Sequence, residues 1–266
     1  MRSFPWAGGG VLAVASLLSF APLPSYAEVG SETPTAATDV IQDGYSPELG
    51  AQVRAYLLAN PGVILEVFKL LERQEAENKA GRSRDLLARH HADLFDGAGA
   101  SIADGVMGNP DGVVKVVEFF DYQCGYCKAS AAELKTAMDG RTDVAVILKE
   151  FPILGPASET ASRLALAIKA EHGEAAYVGF HNALLAHRGN LNDETMTLLV
   201  EAAGYDYAAL TARGRASDIT DKLAANRKLA ADLGISGSPA FVFRDELVGG
   251  MMNADRLSVA FNRLAL

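Results

Sequence analysis

Residues 113–130 read VVKVVEFFDYQCGYCKAS and hold Cys124 and Cys127, the two cysteines of the 266-residue chain. The first eight residues of this stretch are mostly β-branched or aromatic, which predicts a buried strand. The Ala-rich residues 128–138 predict a helix directly afterwards. The two cysteines therefore stand at a strand-to-helix junction, one helical turn apart.

This junction suits redox chemistry better than cross-linking. The positive end of the helix dipole and its unpaired N–H groups stabilise a thiolate at the first helical position, so Cys124 is predicted to attack. Cys127, one turn later, can resolve the mixed disulfide that results. As a staple the pair would close too small a loop to remove much entropy from the unfolded chain.

Metal binding is the competing interpretation of the two cysteines. A structural zinc site needs four ligands, and none of the five histidines forms a spaced pair beside the cysteines. The sequence therefore predicts no zinc site. Copper(I) accepts two thiolates, so a copper carrier remains an open alternative of a different class.

The N-terminus predicts export. A weakly basic start, the apolar residues 11–20 and the closing Ser25-Tyr26-Ala27 are typical of a signal peptide over residues 1–27, cleaved after Ala27. The apolar run is about half the roughly 20 residues that a membrane-spanning helix needs, although an uncleaved anchor is the alternative. Residues 28–45 are polar and lack periodicity, so we predict a disordered leader.

The charge balance limits the partners. The chain has 24 Lys and Arg against 33 Asp and Glu, a formal net charge of −9. A nucleic-acid partner would require a basic face, so none is expected.

The rest of the chain divides by pattern. Residues 46–96 carry apolar side chains at helical spacing and cannot bury them on themselves, so they are predicted to pack on the following domain or on copies of the same segment. Residues 97–112 are rich in Gly, Ala and Asp and predict a connector. The α/β remainder, residues 113–266, is predicted to contain a second strand at 144–148, a mostly helical insertion at about 157–233, a hairpin at 240–249 and a closing helix at 255–266.

Three motifs in order resemble the DsbA family of thioredoxin-fold oxidoreductases. They are EFFDYQCGYC at 118–127, FPILG at 151–155 and GSPAFV at 237–242. The resemblance covers about 113–266 and implies a thioredoxin-like fold with a helical insertion and no cofactor beyond the cysteine pair. It also implies a cis bond before Pro239 and a loop facing the cysteines. Ser238, where threonine or valine is more usual, and Pro239 would then contact substrate together with Gly125 and Tyr126.

Glu118 is unusual because it interrupts an apolar strand, where an unpaired carboxylate is costly. One interpretation is a residue facing water at a strand end. The family resemblance implies a buried acid with a raised pKa that relays protons to Cys127. Lys149, at the end of the second strand, is a possible partner for it.

Two features favour a disulfide isomerase over an oxidase. Gly125-Tyr126 is the dipeptide of DsbC-type isomerases, and residues 56–64, YLLANPGVI, resemble the N-terminal region of the suppressor of copper sensitivity protein C (ScsC) group. That resemblance implies a homotrimer acting on exported proteins, kept reduced by a DsbD-like membrane partner. A monomeric DsbA-like oxidase, recharged by a DsbB-like partner, is the alternative.

Overall fold

The computed structural model describes residues 46–96 and 102–266, so the predicted signal peptide and leader lie outside the described residues. At its centre is a mixed sheet in the order β1-β3-β2-β4-β5, in which β2 and β3 are parallel and the other neighbours antiparallel. Its strands are β1 Gly105–Gly108, β2 Val114–Phe120, β3 Val144–Glu150, β4 Ala240–Val242 and β5 Leu247–Gly249. The predicted strands are present, the hairpin strands being shorter than expected.

β1 was not predicted from the sequence. It lies in the stretch 97–112, which was expected to be a connector. Its two glycines explain why the pattern was missed, since glycine is depleted in strands. A Cβ on Gly105 would come within 1.9 Å of the Tyr177 ring, so a side chain has no room there. Gly108 has φ +90° and stands against the Val144 carbonyl, which also favours glycine.

Helices cover both faces of the sheet. The first face, which carries Val116, Phe120 and Val146, packs against helices that follow β2, β3 and β5. The second face, which carries Val117 and Phe119, packs against the end of the helix that precedes β4 and against residues that precede the sheet. The helices after β2 are α3 Gly125–Met138, α4 Pro156–His172, α5 Glu174–Ala186, α6 Asp193–Ala202, α7 Tyr207–Gly214, α8 Ser217–Asp232 and α9 Ala254–Leu264. α4 to α8 form the predicted insertion between β3 and β4.

The N-terminal segment is helical as predicted, with α1 Pro47–Ala59, α2 Gly62–Arg89 and a π-helical turn Ala92–Asp96. α1 begins with the Ser46 hydroxyl accepting the Leu49 N–H at 3.1 Å. None of the described helices is long and apolar enough to cross a membrane.

A boundary between two compact units lies inside α2. It falls between Glu66 and Val67, so most of α2 belongs with the sheet. Leu87, Leu94 and Phe95 are buried in the cluster on the second face. The predicted helical segment is therefore divided: residues 46–66 belong to one compact unit and residues 67–96 to the other. Their shared helical pattern could not reveal this division.

Candidate active site

Cys124 caps the N-terminus of α3. Its Sγ accepts the Cys127 N–H at 3.4 Å, and the first residue of the helix is Gly125. Both cysteines are free thiols; Cys124 is 7% exposed and Cys127 is completely buried. A reagent can therefore reach Cys124 first, with Cys127 behind it.

The loop at Pro239 lies against this thiol. The Cys124 Sγ–H donates to the Ser238 carbonyl oxygen at 3.2 Å, although the two residues are 114 positions apart. The Ser238–Pro239 bond is cis, as the family resemblance implies. The Pro239 carbonyl accepts the Gly250 N–H at 2.8 Å, which joins the loop to the end of β5. Ser238 and Pro239 thus lie beside Cys124, so the structure brings together residues from two of the predicted motifs.

Asp121 anchors the loop that carries Cys124. Its carboxylate is completely buried and accepts four hydrogen bonds. Oδ1 accepts from the Gln123 N–H and the Ser158 hydroxyl, each at 2.7 Å, and Oδ2 accepts from the N–H groups of Ile153 and Leu154 at 2.8 and 3.0 Å. The motifs at 118–127 and 151–155 are therefore joined through one carboxylate. Sequence reasoning missed this role, although an aspartate two residues before a loop N–H is a typical turn signal.

Glu118 and Cys127 are both buried acidic groups, 3% and 0% exposed. Burial raises the pKa of Glu118 to about 8. Burial also raises the pKa of the Cys127 thiol, to which the negative charge of Glu118 adds, while the Asp121 N–H approaching Sγ at 3.5 Å opposes the rise. Among the described residues the Glu118 carboxylate has no hydrogen-bond or ion-pair partner, and it lines a cavity of about 460 Å³ together with Lys128 and His181.

The expected pairing of Lys149 with Glu118 is wrong. Glu118 pairs in register with Leu148, and Lys149 with Phe119, so the two charged side chains leave opposite faces of the sheet. Lys149 Nζ instead donates to Asp104 Oδ2 at 2.5 Å and to the Asp93 carbonyl at 2.6 Å. A second buried lysine, Lys222, meets Asp104 Oδ1 at 2.5 Å.

A second buried acid, Glu150, was also missed. Its Oε1 accepts the hydroxyls of Tyr122 and Tyr177 at 2.8 and 2.9 Å, and its Oε2 accepts the Ser162 hydroxyl at 2.7 Å. Burial raises the pKa of Glu150 to about 8, although these three hydroxyls act in the opposite direction. Tyr122 lies two residues before Cys124. Its hydrogen bond to Glu150 therefore holds the start of the cysteine loop in place. No periodicity in the sequence indicates that these residues meet.

Several exposed apolar side chains belong to the segments that carry or adjoin the cysteine loop. Tyr126 is 71% exposed, and a Cβ on Gly125 would meet no atom within 4 Å, so the dipeptide between the cysteines faces outward. Ile153, Leu154 and Met251, from the segments bonded to Asp121 and next to the Pro239 loop, are also exposed. Within residues 46–96 and 102–266, no group of three or more His, Cys, Asp or Glu side chains is placed to hold a metal ion.

A family model described as "DSBA-like thioredoxin domain" matches residues 115–262, more than half of the chain. The chain belongs to this family. The resemblance noted in the sequence is thereby confirmed, and the matched DSBA-like region includes both cysteines and the Pro239 loop. A second model, "Copper resistance protein ScsC N-terminal domain", matches residues 48–78.

Solved structures of thioredoxin-like proteins are similar to this chain in sequence and in fold. A thioredoxin-like oxidoreductase from Silicibacter pomeroyi is 35% identical, with a TM-score of 0.60, over 65% of this chain and 96% of its own. The catalytic domain of Proteus mirabilis ScsC is 28% identical, with a TM-score of 0.61, over 69% and 99%. A periplasmic thioredoxin-like protein from Salmonella enterica serovar Typhimurium is 29% identical, with a TM-score of 0.59, over 66% and 96%.

Curated relatives are larger proteins. The Na(+)/H(+) antiporter NhaA 3 of Salinispora tropica is 28% identical over 164 residues, which are 59% of this chain and 24% of that protein. The chain therefore spans about a quarter of the length of the curated relatives that it matches.

Proposed function

We propose that this DSBA-like chain is a periplasmic thiol–disulfide oxidoreductase that isomerises or reduces disulfides of exported proteins. The observation that carries the proposal is the placement of Cys124 Sγ, between the N-terminus of α3 and the Ser238 carbonyl, with a buried thiol one turn behind it. The similarity to a periplasmic thioredoxin-like protein supports the location.

In the proposed reaction the Cys124 thiolate attacks one sulfur of a substrate disulfide. A mixed disulfide forms and one substrate thiolate leaves. For isomerisation, another substrate thiolate attacks the mixed disulfide and Cys124 leaves unchanged, so no electrons are transferred overall. For reduction, Cys127 attacks Cys124 Sγ; the substrate leaves with two electrons and the Cys124–Cys127 disulfide remains.

Glu118 is proposed to handle the proton of the resolving step. Because burial raises the pKa of Cys127, its thiol gives up a proton reluctantly and needs a nearby base. A carboxyl with a pKa of about 8 can accept and return a proton near neutral pH. The cavity that Glu118 lines offers water a route to it.

An oligomer, most simply a homotrimer, would favour isomerase activity because several active sites could hold one misfolded substrate. The match to the ScsC N-terminal domain supports this arrangement. So does the exposure of large apolar side chains, because monomers rarely leave such patches in water. They are Leu49, Val53, Tyr56, Leu58, Ile64, Leu65, Val67, Phe68, Leu70 and Leu71, each at least 41% exposed.

The test compares the mature chain with a Leu58→Glu, Phe68→Glu variant. Both side chains are more than half exposed, so the exchange should spare the fold while it weakens association. Leu198→Glu with Val259→Glu is the matched control, since these apolar residues are equally exposed outside the matched segment. Sedimentation equilibrium gives the oligomeric state, and reactivation of scrambled ribonuclease gives the activity.

We expect the first variant alone to become monomeric and to lose reactivation. If neither the mature chain nor the variants reactivate ribonuclease, yet all rapidly oxidise its reduced form, the protein is an oxidase paired with a DsbB-like partner. Retained reactivation by a monomer would contradict the need for an oligomer. If the protein is an isomerase, we expect a DsbD-like membrane partner to keep its two cysteines reduced.

A further inference from the structure

A groove of about 730 Å³ runs beside the Pro239 loop, within the range of about 300–1,000 Å³ that ligand sites occupy. One wall is α2, through Lys79, Arg82, Ser83 and Leu86. The other wall is residues 233–240 with parts of β5 and the residues just after it. Both walls belong to the compact unit that begins at Val67.

The groove is continuous with the reactive thiol. Ser238, which contributes to the wall, accepts the Cys124 Sγ–H through its carbonyl at 3.2 Å. A polypeptide joined to Cys124 through a cysteine starts next to the Pro239 loop, because Ser238 contacts the sulfur. The groove is the concave surface that meets it there.

The charge of the groove is opposite to that of the whole chain. Lys79 and Arg82 are its charged lining residues, and no acidic side chain lines it. Both side chains are exposed, and neither forms an ion pair with another of the described residues. The complete sequence carries a formal net charge of −9, so a groove whose charged lining residues are both cationic is not a consequence of composition.

The remaining lining is mostly apolar or small, with Leu86, Leu233, Ile235 and Leu247 as its large apolar side chains. The helix that carries the cations is held in place by Leu87, which is 2% exposed and lies in the same buried cluster as Leu233. The wall is therefore part of the packed structure.

We propose that this groove binds the substrate segment flanking the attacked cysteine, and that Lys79 and Arg82 select segments in which acidic residues accompany apolar ones. The inference rests on the proposed function. It assigns to α2 a part in substrate choice that is separate from any part in association.

The test uses short peptides, each with one cysteine joined by a disulfide to neutral 2-mercaptoethanol and flanked by leucines with either aspartates or lysines. Reduced protein converts each to peptide thiol and free 2-mercaptoethanol while the Cys124–Cys127 disulfide forms. Release of peptide thiol is followed by mass spectrometry after an acid quench. Bis(2-hydroxyethyl) disulfide, which is neutral and too small to fill the groove, reports on the thiol chemistry alone.

We expect the acidic peptide to react about threefold to tenfold faster than the basic one, as two partly exposed ion pairs allow. The preference should shrink as salt is added. Lys79→Glu with Arg82→Glu should abolish or invert it. Arg73→Glu with Arg84→Glu, an equal charge change at exposed positions of α2 outside the groove, should preserve it.

The inference alone is overturned if the unaltered protein shows no preference, or if both double variants keep its full preference. A loss that is equal in both variants would overturn it as well, because it would assign the effect to net charge. The proposed function fails separately if no peptide and no bis(2-hydroxyethyl) disulfide is reduced, or if Cys124→Ser is as fast as the unaltered protein.

Discussion

Replacing Glu118 with glutamine should make the protein more stable in alkali without changing it in acid. Glutamine has nearly the same shape but cannot ionise, so it removes the charge that burial disfavours. Glu118 is 3% exposed, and no side chain with a positive charge is paired with it among the described residues. The cost of its ionisation therefore remains in the folded state.

The magnitude follows from the pKa. Each pKa unit corresponds to about 1.4 kcal/mol, so raising the pKa from 4.5 to about 8 makes ionised Glu118 cost the folded protein about 5 kcal/mol. The folded state holds this proton more tightly than the unfolded state, so the cost is absent below pH 4.5, grows as pH rises, and is complete above about pH 8. Between about pH 5 and pH 9 the advantage of the variant should grow by about 4 kcal/mol.

The assay is urea unfolding of the reduced protein at several values of pH in this window, for the unaltered chain and for Glu118→Gln. Glu150, whose pKa burial also raises to about 8, contributes equally to both proteins and cancels in the difference. Glu201→Gln, at an exposed position on α6, is the control and should show no growing difference. A difference between Glu118→Gln and the unaltered protein that stays constant across the window would refute a buried, titrating Glu118.

Three further predictions concern the thiol pair and the buried anchors. Cys127→Ser should accumulate mixed disulfides with substrate proteins on non-reducing gels, and Cys124→Ser should form none; the reverse result would exchange their roles. Asp121→Ala leaves four donors without their carboxylate and should lower the free energy of unfolding by about 2–4 kcal/mol, measured with denaturant; a loss under about 1 kcal/mol would contradict the anchor. Asp104→Asn leaves two buried lysines facing a neutral amide and should cost about 3–5 kcal/mol, part of which Lys222→Met should restore.

The local features of the site were predictable from neighbouring residues. A β-branched run followed by an Ala-rich helix places Cys124 at a helix N-terminus whatever the rest of the chain does, because each signal acts within a few residues. The spacing of Cys127 follows from the helical turn. The burial of Glu118 was predicted through the family resemblance, because the strand pattern alone left a position facing water open.

The contacts between distant segments were not predictable in this way. The Ser238 carbonyl reaches Cys124 only because β4 pairs with β2, and Lys149 reaches Asp104 only because strand register sends it to the face opposite Glu118. β1 was hidden by its two glycines, of which Gly105 is required by the Tyr177 ring and Gly108 by its positive φ and the Val144 carbonyl.

Taken by itself, the sequence determined where the two thiols lie: at a strand-to-helix junction, because hydrophobic pattern and helix propensity are local properties. Only the tertiary structure decided what surrounds these two thiols, including the Pro239 loop, the anchors at Asp121 and Glu150 and the cationic wall of α2. The physical reason is that side-chain pairing across a core depends on sheet order and register, which are set by the packing of the whole chain.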